Sequence, residues 1–551
     1  MKTEHTSMKT RLTARHYEST ICAVKRNQPI KTHIKNLFTC LGVAQMRSRA
    51  CRGEALRSRV LPALITGLGL TLATSVTAQT FTTLCSFTAG NTNSSNVYTN
   101  SDGAGPNALI LSGNTLYGTA GGGGTNGNGT VFTVNTDGTG ITNLHTFMAL
   151  SQIYSGTNSD GAAPLARVIL SGNTLYGTAQ GGGTNGTGTV FAVHTDGTGF
   201  TILHTFTAYS GSTNSDGATP LAEVILSGNT LYGTAFGGGS AGNGTVFAIN
   251  TNGTGFTNLY SFSADMDNGN GYYTNSDGFY PQAGLILSGN TLYGTASGGG
   301  GADNGTIFAV NTNGGGFKTL HSFSASPFGT NSDGANPVAG LILSGNTLYG
   351  TASGGGTNGF GTVFAFDTDS GTFKTLHSFS AANSTNSSGY YTNSDGESPQ
   401  AGLVLSGNTL YGTASEAGGS GEGTVFAIRT NGTDFKVLHS FTAFSGSQLT
   451  NSDGGAPSGL ILSGNNLYGT AAGGGTNGSG TVFSITLPVP PPQLTITLSR
   501  TNVILSWPAA DTGFTLQSTT NLASPAWITV SGQFAVTNPI TDAKMFFRLM
   551  H

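Results

Sequence analysis

The chain has 551 residues, of which only 8% are charged, with 21 Lys and Arg against 24 Asp and Glu. So few cationic side chains exclude a nucleic-acid binder that works by neutralising phosphates, and the abundance of Gly, Ser, Thr and Asn points to an uncharged, solvated, extracellular surface. The charge is also uneven: 13 of the 21 Lys and Arg precede residue 60, and eight follow Ala78 against 21 Asp and Glu, so the body beyond the leader is acidic.

Residues 1–78 read as a leader and signal peptide. Arg57 and Arg59 precede an apolar stretch from Val60 to Val76, and Val76-Thr77-Ala78 supplies the small residues of a cleavage site before Gln79. A start at Met46 gives this signal ordinary proportions. The alternative is an uncleaved anchor, since the apolar stretch is near the shortest that spans a bilayer. Export with cleavage is the expectation, leaving no membrane span. Cys22, Cys40 and Cys51 fall in the leader, so Cys85 stands alone in the body and no intrachain disulfide is expected.

From residue 79 to 487 the chain repeats. Leu-Tyr-Gly-Thr-Ala occurs seven times, with its tyrosine at Tyr117, Tyr176, Tyr232, Tyr293, Tyr349, Tyr411 and Tyr468, at spacings of 56 to 62 residues. Each copy has four apolar runs, shown in the fifth by Gly340 to Leu343, Thr347 to Ala352, Gly361 to Phe366 and Phe373 to Phe379. Runs of Thr, Val, Ile, Tyr and Phe separated by Ser-Gly-Asn, Asn-Gly and Asp-Gly are the mark of antiparallel hairpins. A tandem unit of this kind cannot bury its own faces alone.

The fourth run, Leu-x-Ser/Thr-Phe in all seven copies, first appears at Leu84 to Phe87, before any complete unit, while the last unit stops after its third run at Gly480 to Ile485. Pairing Thr80 to Phe87 beside Gly480 to Ile485 completes every sheet. The expected fold is therefore all-β: a seven-bladed β-propeller of four-stranded blades closed by the N-terminal strand. A Pro-rich linker at 488–492 leads to residues 493–551, where runs such as Leu494 to Leu498 and Val503 to Trp507 predict a small β-sandwich.

The Leu-Tyr-Gly-Thr-x, Gly-Thr-Val-Phe and Leu-His-Ser-Phe blocks, with Asp-Gly-x-x-Pro before each unit, resemble the GloVer (choice-of-anchor) tandem repeat of bacterial surface and secreted proteins. That resemblance implies an exported repeat protein and no established enzyme activity. In the tail, Leu505-Ser506-Trp507-Pro508, Gly513 to Gln517, Trp527 and Phe546 to Leu549 resemble a fibronectin type III-like C-terminal module.

Reversal of direction at each antiparallel strand puts the loops after the second and fourth strands at one end of every blade, so all the long loops share a face. That face is the candidate site. Its regular feature is Asn-Ser-Asp-Gly, which places Asp102, Asp160, Asp216, Asp277, Asp333, Asp395 and Asp453 equivalently. A ring of carboxylates attracts cations, but Asp-Gly is first a turn in which the carboxylate accepts local N–H groups and Gly takes positive φ. His145, His204, His321, His377 and His439 recur on the fourth strands, with Cys85 and Tyr260 in the other two copies. They read as packed or hydrogen-bonded repeat residues, because outer strands of diverging blades hold them too far apart to share a metal. The Gly-rich loops lack the Lys-Ser/Thr of a phosphate-binding loop and read as close-approach turns.

Tyr98, Tyr154, Tyr209, Tyr272, Tyr273, Tyr390 and Tyr391 in the variable loops either contact a ligand or pin their loops. Glu397, Glu416 and Glu422 replace neutral residues in the sixth unit and are the candidates for paired acid and base chemistry on a carbohydrate. No cofactor or metal is implied. The expectation is an exported, non-catalytic binding or adhesion module for a polysaccharide or surface protein, with a carbohydrate-active enzyme or a structural spacer as alternatives.

Overall fold

The computed structural model describes residues 79–94, 96–152, 156–267, 273–386, 389–488, 494–499, 502–507, 515–521, 525–530, 535–539 and 545–550. The leader lies outside them, as does most of the Pro-rich linker. Among the described residues there is no α-helix, and no helix long and apolar enough to cross a membrane.

The repeats form antiparallel sheets of four strands in chain order, with a short fifth strand in the first sheet. In the fifth sheet the strands are Ile342–Ser344, Thr347–Ala352, Thr362–Asp367 and Phe373–Ser378. The inner three lie within two residues of the sequence reading. The first strand starts two residues later than expected and is one residue shorter.

The first repeat supplies Ile110–Ser112, Thr115–Gly122, Thr130–Asn135 and Thr142–Thr146, and the last supplies only Gly455–Ser463, Asn466–Gly473 and Thr481–Thr486. That last sheet takes its fourth strand from Thr80–Ser86, paired antiparallel from Thr80 opposite Thr486 to Ser86 opposite Thr481. Its register slips between Thr83 and Cys85, leaving Leu84 as an extra residue. The same slip occurs in the second sheet, where His204 faces Val190 and Ile202 faces Phe191, leaving Leu203 extra. The N-terminal strand thus reproduces the bulge of the other fourth strands, and a bulge at a fixed place fixes register.

The core lies between sheets. Tyr176, Val190 and Phe206 of the second pack with Val224, Leu231 and Phe247 of the third. Phe87, Tyr468 and Val482 of the last sheet pack with Leu109, Leu116 and Phe132 of the first. A buried threonine of each second strand donates to a carbonyl leading into the next sheet, as Thr119 does to Ala166 at 2.9 Å and Thr178 to Ala222 at 2.8 Å. The last, Thr470, donates to Asn107 of the first repeat at 3.0 Å. Each face of a sheet is therefore buried by a neighbour, which is why no unit carries a core of its own.

In the tail, Thr495–Ser499, Asn502–Ser506 and Ala535–Pro539 form one three-stranded sheet, and Ile528–Thr529, Thr515–Thr519 and Phe546–Met550 form another. Leu505, Trp507, Leu516 and Val536 are buried between them, and the Arg548 guanidinium lies 4.2 Å from the centre of the Trp527 ring.

Candidate functional site

The long loops are tied down by the Asn-Ser-Asp-Gly segment, and the division of labour within it differs from the sequence reading. The local turn belongs to the asparagine. In the third copy the Asn214 carbonyl oxygen accepts the N–H of Gly217 at 3.0 Å and of Gly239 at 2.8 Å, while its amide donates to the carbonyls of Thr207 and Gly217. One side chain thus joins the loop after the second strand to the loop after the fourth. Gly217 takes φ +97°, and a Cβ there would meet the Thr245 hydroxyl and the Ala235 methyl. The expected positive-φ glycine is present.

The aspartate is turned inward and accepts from residues distant in sequence, not from its own turn. Asp216 takes the N–H of Thr207 at 3.1 Å and the Thr207 hydroxyl, and lies 2.8 Å from Nε2 of His204. Asp160, Asp333, Asp395 and Asp453 meet His145, His321, His377 and His439 at 2.9 to 3.0 Å. Asp277 accepts the Tyr260 hydroxyl at 2.7 Å, and Asp102 accepts the Thr88 N–H at 3.0 Å in the copy where Cys85 replaces the ring. All seven carboxylates are buried. Burial by itself raises a carboxyl, yet the bonds from the imidazole and from the Thr or Ser after the phenylalanine outweigh it. Asp216, Asp333, Asp395 and Asp453 therefore lie below the ordinary carboxylate range. The geometry places them under the rim as loop anchors instead of presenting a ring of charge to solvent.

Each histidine also stacks on a phenylalanine of the following sheet, His204 on Phe256 at 3.7 Å and His439 on Phe81 of the N-terminal strand at 3.7 Å. Where Cys85 replaces the ring, Ile141 packs in the phenylalanine's place. Burial, and secondarily the Asp102 charge, pushes the Cys85 thiol up to about 11 against the pull of a Val482 backbone hydrogen bond, so it is a poor nucleophile. Among the described residues no three His, Cys, Asp or Glu side chains converge to hold a metal ion.

The three glutamates of the sixth repeat divide. Glu397 and Glu416 face each other across an antiparallel bridge, exchanging N–H···O bonds of 2.9 and 3.2 Å. Glu416 is exposed and Glu397 is buried, with its carboxyl raised first by burial and then by the Glu416 charge. Glu422, also buried, sits by the turn that follows Glu416, where its Cβ lies beside Gly455 of the last sheet. Burial lifts its acid to about 7 although the Phe444 N–H pulls the other way. One oxygen of Glu397 and one of Glu422 have no hydrogen-bond partner.

Of the tyrosines, Tyr98, Tyr209, Tyr390 and Tyr391 are exposed, Tyr391 the most at 64%. Tyr98 and Tyr391 lie on short hairpins absent from the sequence reading, Asn91–Thr92 with Tyr98–Thr99 and Ser384–Thr385 with Tyr391–Thr392. Tyr273 lies on a third, Met266–Asp267 with Tyr273–Thr274, while Tyr154 and Tyr272 fall outside the described residues.

Two hollows open among the loops and inner strands. One, of about 490 Å³, is lined by the inner ends of the sheets, among them the bidentate Arg167–Glu223 pair (2.5 and 2.8 Å), Gly284 directly against the Glu223 side chain, and Gly340, Gly402 and Gly459. The other, of about 900 Å³, lies between the long loops of the first and second sheets, beside Tyr98. Sequence reasoning did not find these hollows, because their walls are assembled from loops of different repeats.

Among solved structures the chain is similar to a putative 6-phosphogluconolactonase from Bacteroides fragilis, at 16% identity and a TM-score of 0.38, over 80% of this chain and 97% of that one. It is also similar to an oligogalacturonate lyase from Vibrio parahaemolyticus (8%, TM-score 0.41, 75% and 97%) and to TolB from Acinetobacter baumannii (13%, TM-score 0.31, 60% and 62%). No match is found among curated proteins. Residues 148–275 and 270–397 match the model of the Gloeobacter/Verrucomicrobia repeat, so the repeat resemblance holds across residues 148–397.

Proposed function

We propose that residues 79–487 form a closed seven-bladed β-propeller and that the protein is an exported, non-catalytic binding or adhesion module acting at the cell surface or outside the cell. The tail serves as a fibronectin type III-like module. Closure is supported by the paired N-terminal strand with its matching bulge and by the Thr470 bond back to the first repeat. One observation supports the binding reading: in all seven copies a buried aspartate anchors the loop after the fourth strand and an asparagine ties that loop to the following Gly-rich loop, so the rim is held in one geometry before any partner arrives. A preorganised surface loses little ordering entropy on binding.

The test is retention of polysaccharides and surface proteins by the exported chain, with product analysis and N-terminal sequencing alongside. Saturable retention without products, on a chain beginning at Gln79, is expected; an intact N-terminus or a chain that retains nothing refutes the corresponding part.

The enzyme reading has one observation in its favour, the raised Glu422 acid near the Glu397–Glu416 pair, since groups of different acidity in one place are what acid–base chemistry needs. Polysaccharide turnover that disappears in Glu416→Gln is the result that would establish it over the binding module.

A further inference from the structure

We propose that the hollow between the first and second sheets is the binding site and that its ligand is an uncharged oligosaccharide. This deepens the reading of the protein as a binding module and rests on it.

The hollow has a volume of about 900 Å³, within the range of sites that hold small ligands. Not one of its described lining residues is Asp, Glu, Lys, Arg or His. An ion leaving water for this place meets no countercharge, which is costly, whereas a polyol can exchange its water hydrogen bonds for amide ones. The amides are there. Gln152 is exposed, Gln180 is half-buried, and neither side chain has a hydrogen bond with a described residue. Asn126 and Asn128 donate to the carbonyls of Phe147 (3.0 Å) and Met148 (2.6 Å), which fixes their amides and leaves their oxygens as acceptors. Donors and acceptors side by side suit a hydroxyl, which is both.

Tyr98 supplies the apolar component. Its hydroxyl accepts the Gly90 N–H at 2.8 Å and pairs with Ser479 Oγ at 2.8 Å, while Ser479 sends its own proton to the Thr88 carbonyl. The hydroxyl is thereby fully used, and the partly exposed ring is held still as a surface for the C–H face of a sugar. The corresponding junction between the third and fourth sheets is filled by the Phe236–Tyr280 stack at 4.4 Å, and at the sixth Glu397, Glu416 and Glu422 bring ionisable carboxyl groups. Among the described residues, the junction beside Gln180 is open and neutral.

Gly181, on the wall, allows a clean test: a Cβ built there meets nothing within 4 Å and its φ is not in the left-handed region, so a side chain fills the hollow without disturbing the backbone. The full chain is titrated with short neutral gluco-, manno-, galacto- and xylo-oligosaccharides, with polygalacturonate as the charged probe. One or more neutral probes should bind, and Gly181→Trp and the Gln152→Ala/Gln180→Ala double variant should each weaken binding at least tenfold with circular dichroism and melting unchanged. Gly354→Trp, at the equivalent place in the fifth sheet, should bind as the parent does. Neutral-sugar binding that survives Gly181→Trp overturns the site and leaves the binding module standing. Retention of only polygalacturonate or only a protein overturns the ligand class. If the chain retains neither sugar nor protein, the inference and the binding module fall together.

Discussion

Phe87→Ala tests whether the N-terminal strand is an integral part of the last sheet. Phe87 is fully buried, its ring set edge-on to Phe132 of the first sheet at 5.0 Å, in a cluster with Leu109, Leu116, Tyr468 and Val482. Truncating a phenylalanine so enclosed costs about 3–5 kcal/mol. Phe206, its equivalent in the second sheet, is equally buried and set edge-on to Phe247 at 5.5 Å, so Phe206→Ala is the internal standard. Urea titrations followed by circular dichroism should give losses for the two variants that agree within about 1 kcal/mol, with unchanged slopes. Thr470→Val, which removes the 3.0 Å bond to the Asn107 carbonyl, should cost about 1 kcal/mol more. A Phe87→Ala chain within about 0.5 kcal/mol of the parent, beside a Phe206→Ala chain that loses the full amount, would mean that the strand frays and that the ring is not closed.

Further outcomes follow from the anchors and the buried acids. Because Asp216, Asp333, Asp395 and Asp453 are held below their ordinary value, their stabilisation is present above the unfolded carboxylate range near 3.8 and is lost as pH falls through the folded values. Urea midpoints should drop between pH 5 and pH 2, and drop less in Asp216→Asn. Glu422 has the opposite sign: its acid stands at about 7 in the fold against 4.5 unfolded, so it destabilises increasingly as pH rises from 4.5 through 7. Glu422→Gln should therefore gain on the order of 2 kcal/mol at pH 8 and nothing at pH 4; equal midpoints at pH 8 would refute the buried neutral acid. Asn214→Ala removes three hydrogen bonds within its own loop and one to the Gly-rich loop and should cost about 2–4 kcal/mol, whereas a merely exposed turn residue would cost under about 0.5 kcal/mol.

Strand order and the pairing of Thr80–Ser86 with Thr481–Thr486 were legible in the sequence because alternating apolar runs and Ser-Gly-Asn turns recur at nearly fixed spacing. The anchors were not. His204 and Asp216 are 12 residues apart, His377 and Asp395 are 18, and Tyr260 and Asp277 are 17. The loop between partners varies while the contact does not, so no period in the chain betrays it. The asparagine was overlooked for a related reason: Asn-Ser-Asp-Gly looks self-contained, and only the fold brings the Gly-rich loop against it. The sixth-repeat glutamates stood out as departures, but Glu422 is packed beside Gly455 of the neighbouring last sheet, which a single repeat does not contain.

A strand made early that pairs with one made last has a consequence for biosynthesis. Some 395 residues separate Ser86 from Thr481, and at about 5–20 residues per second the ribosome needs about 20–80 s to supply the partner. Through that interval the first-made strand carries an unmet row of amide groups beside a half-built neighbour, the state in which one nascent copy can capture another's edge. Shortening that wait by permuting the chain, so that the gene begins in a connection between two sheets and every sheet is made from consecutive strands, should raise the yield of soluble monomer without altering the finished molecule.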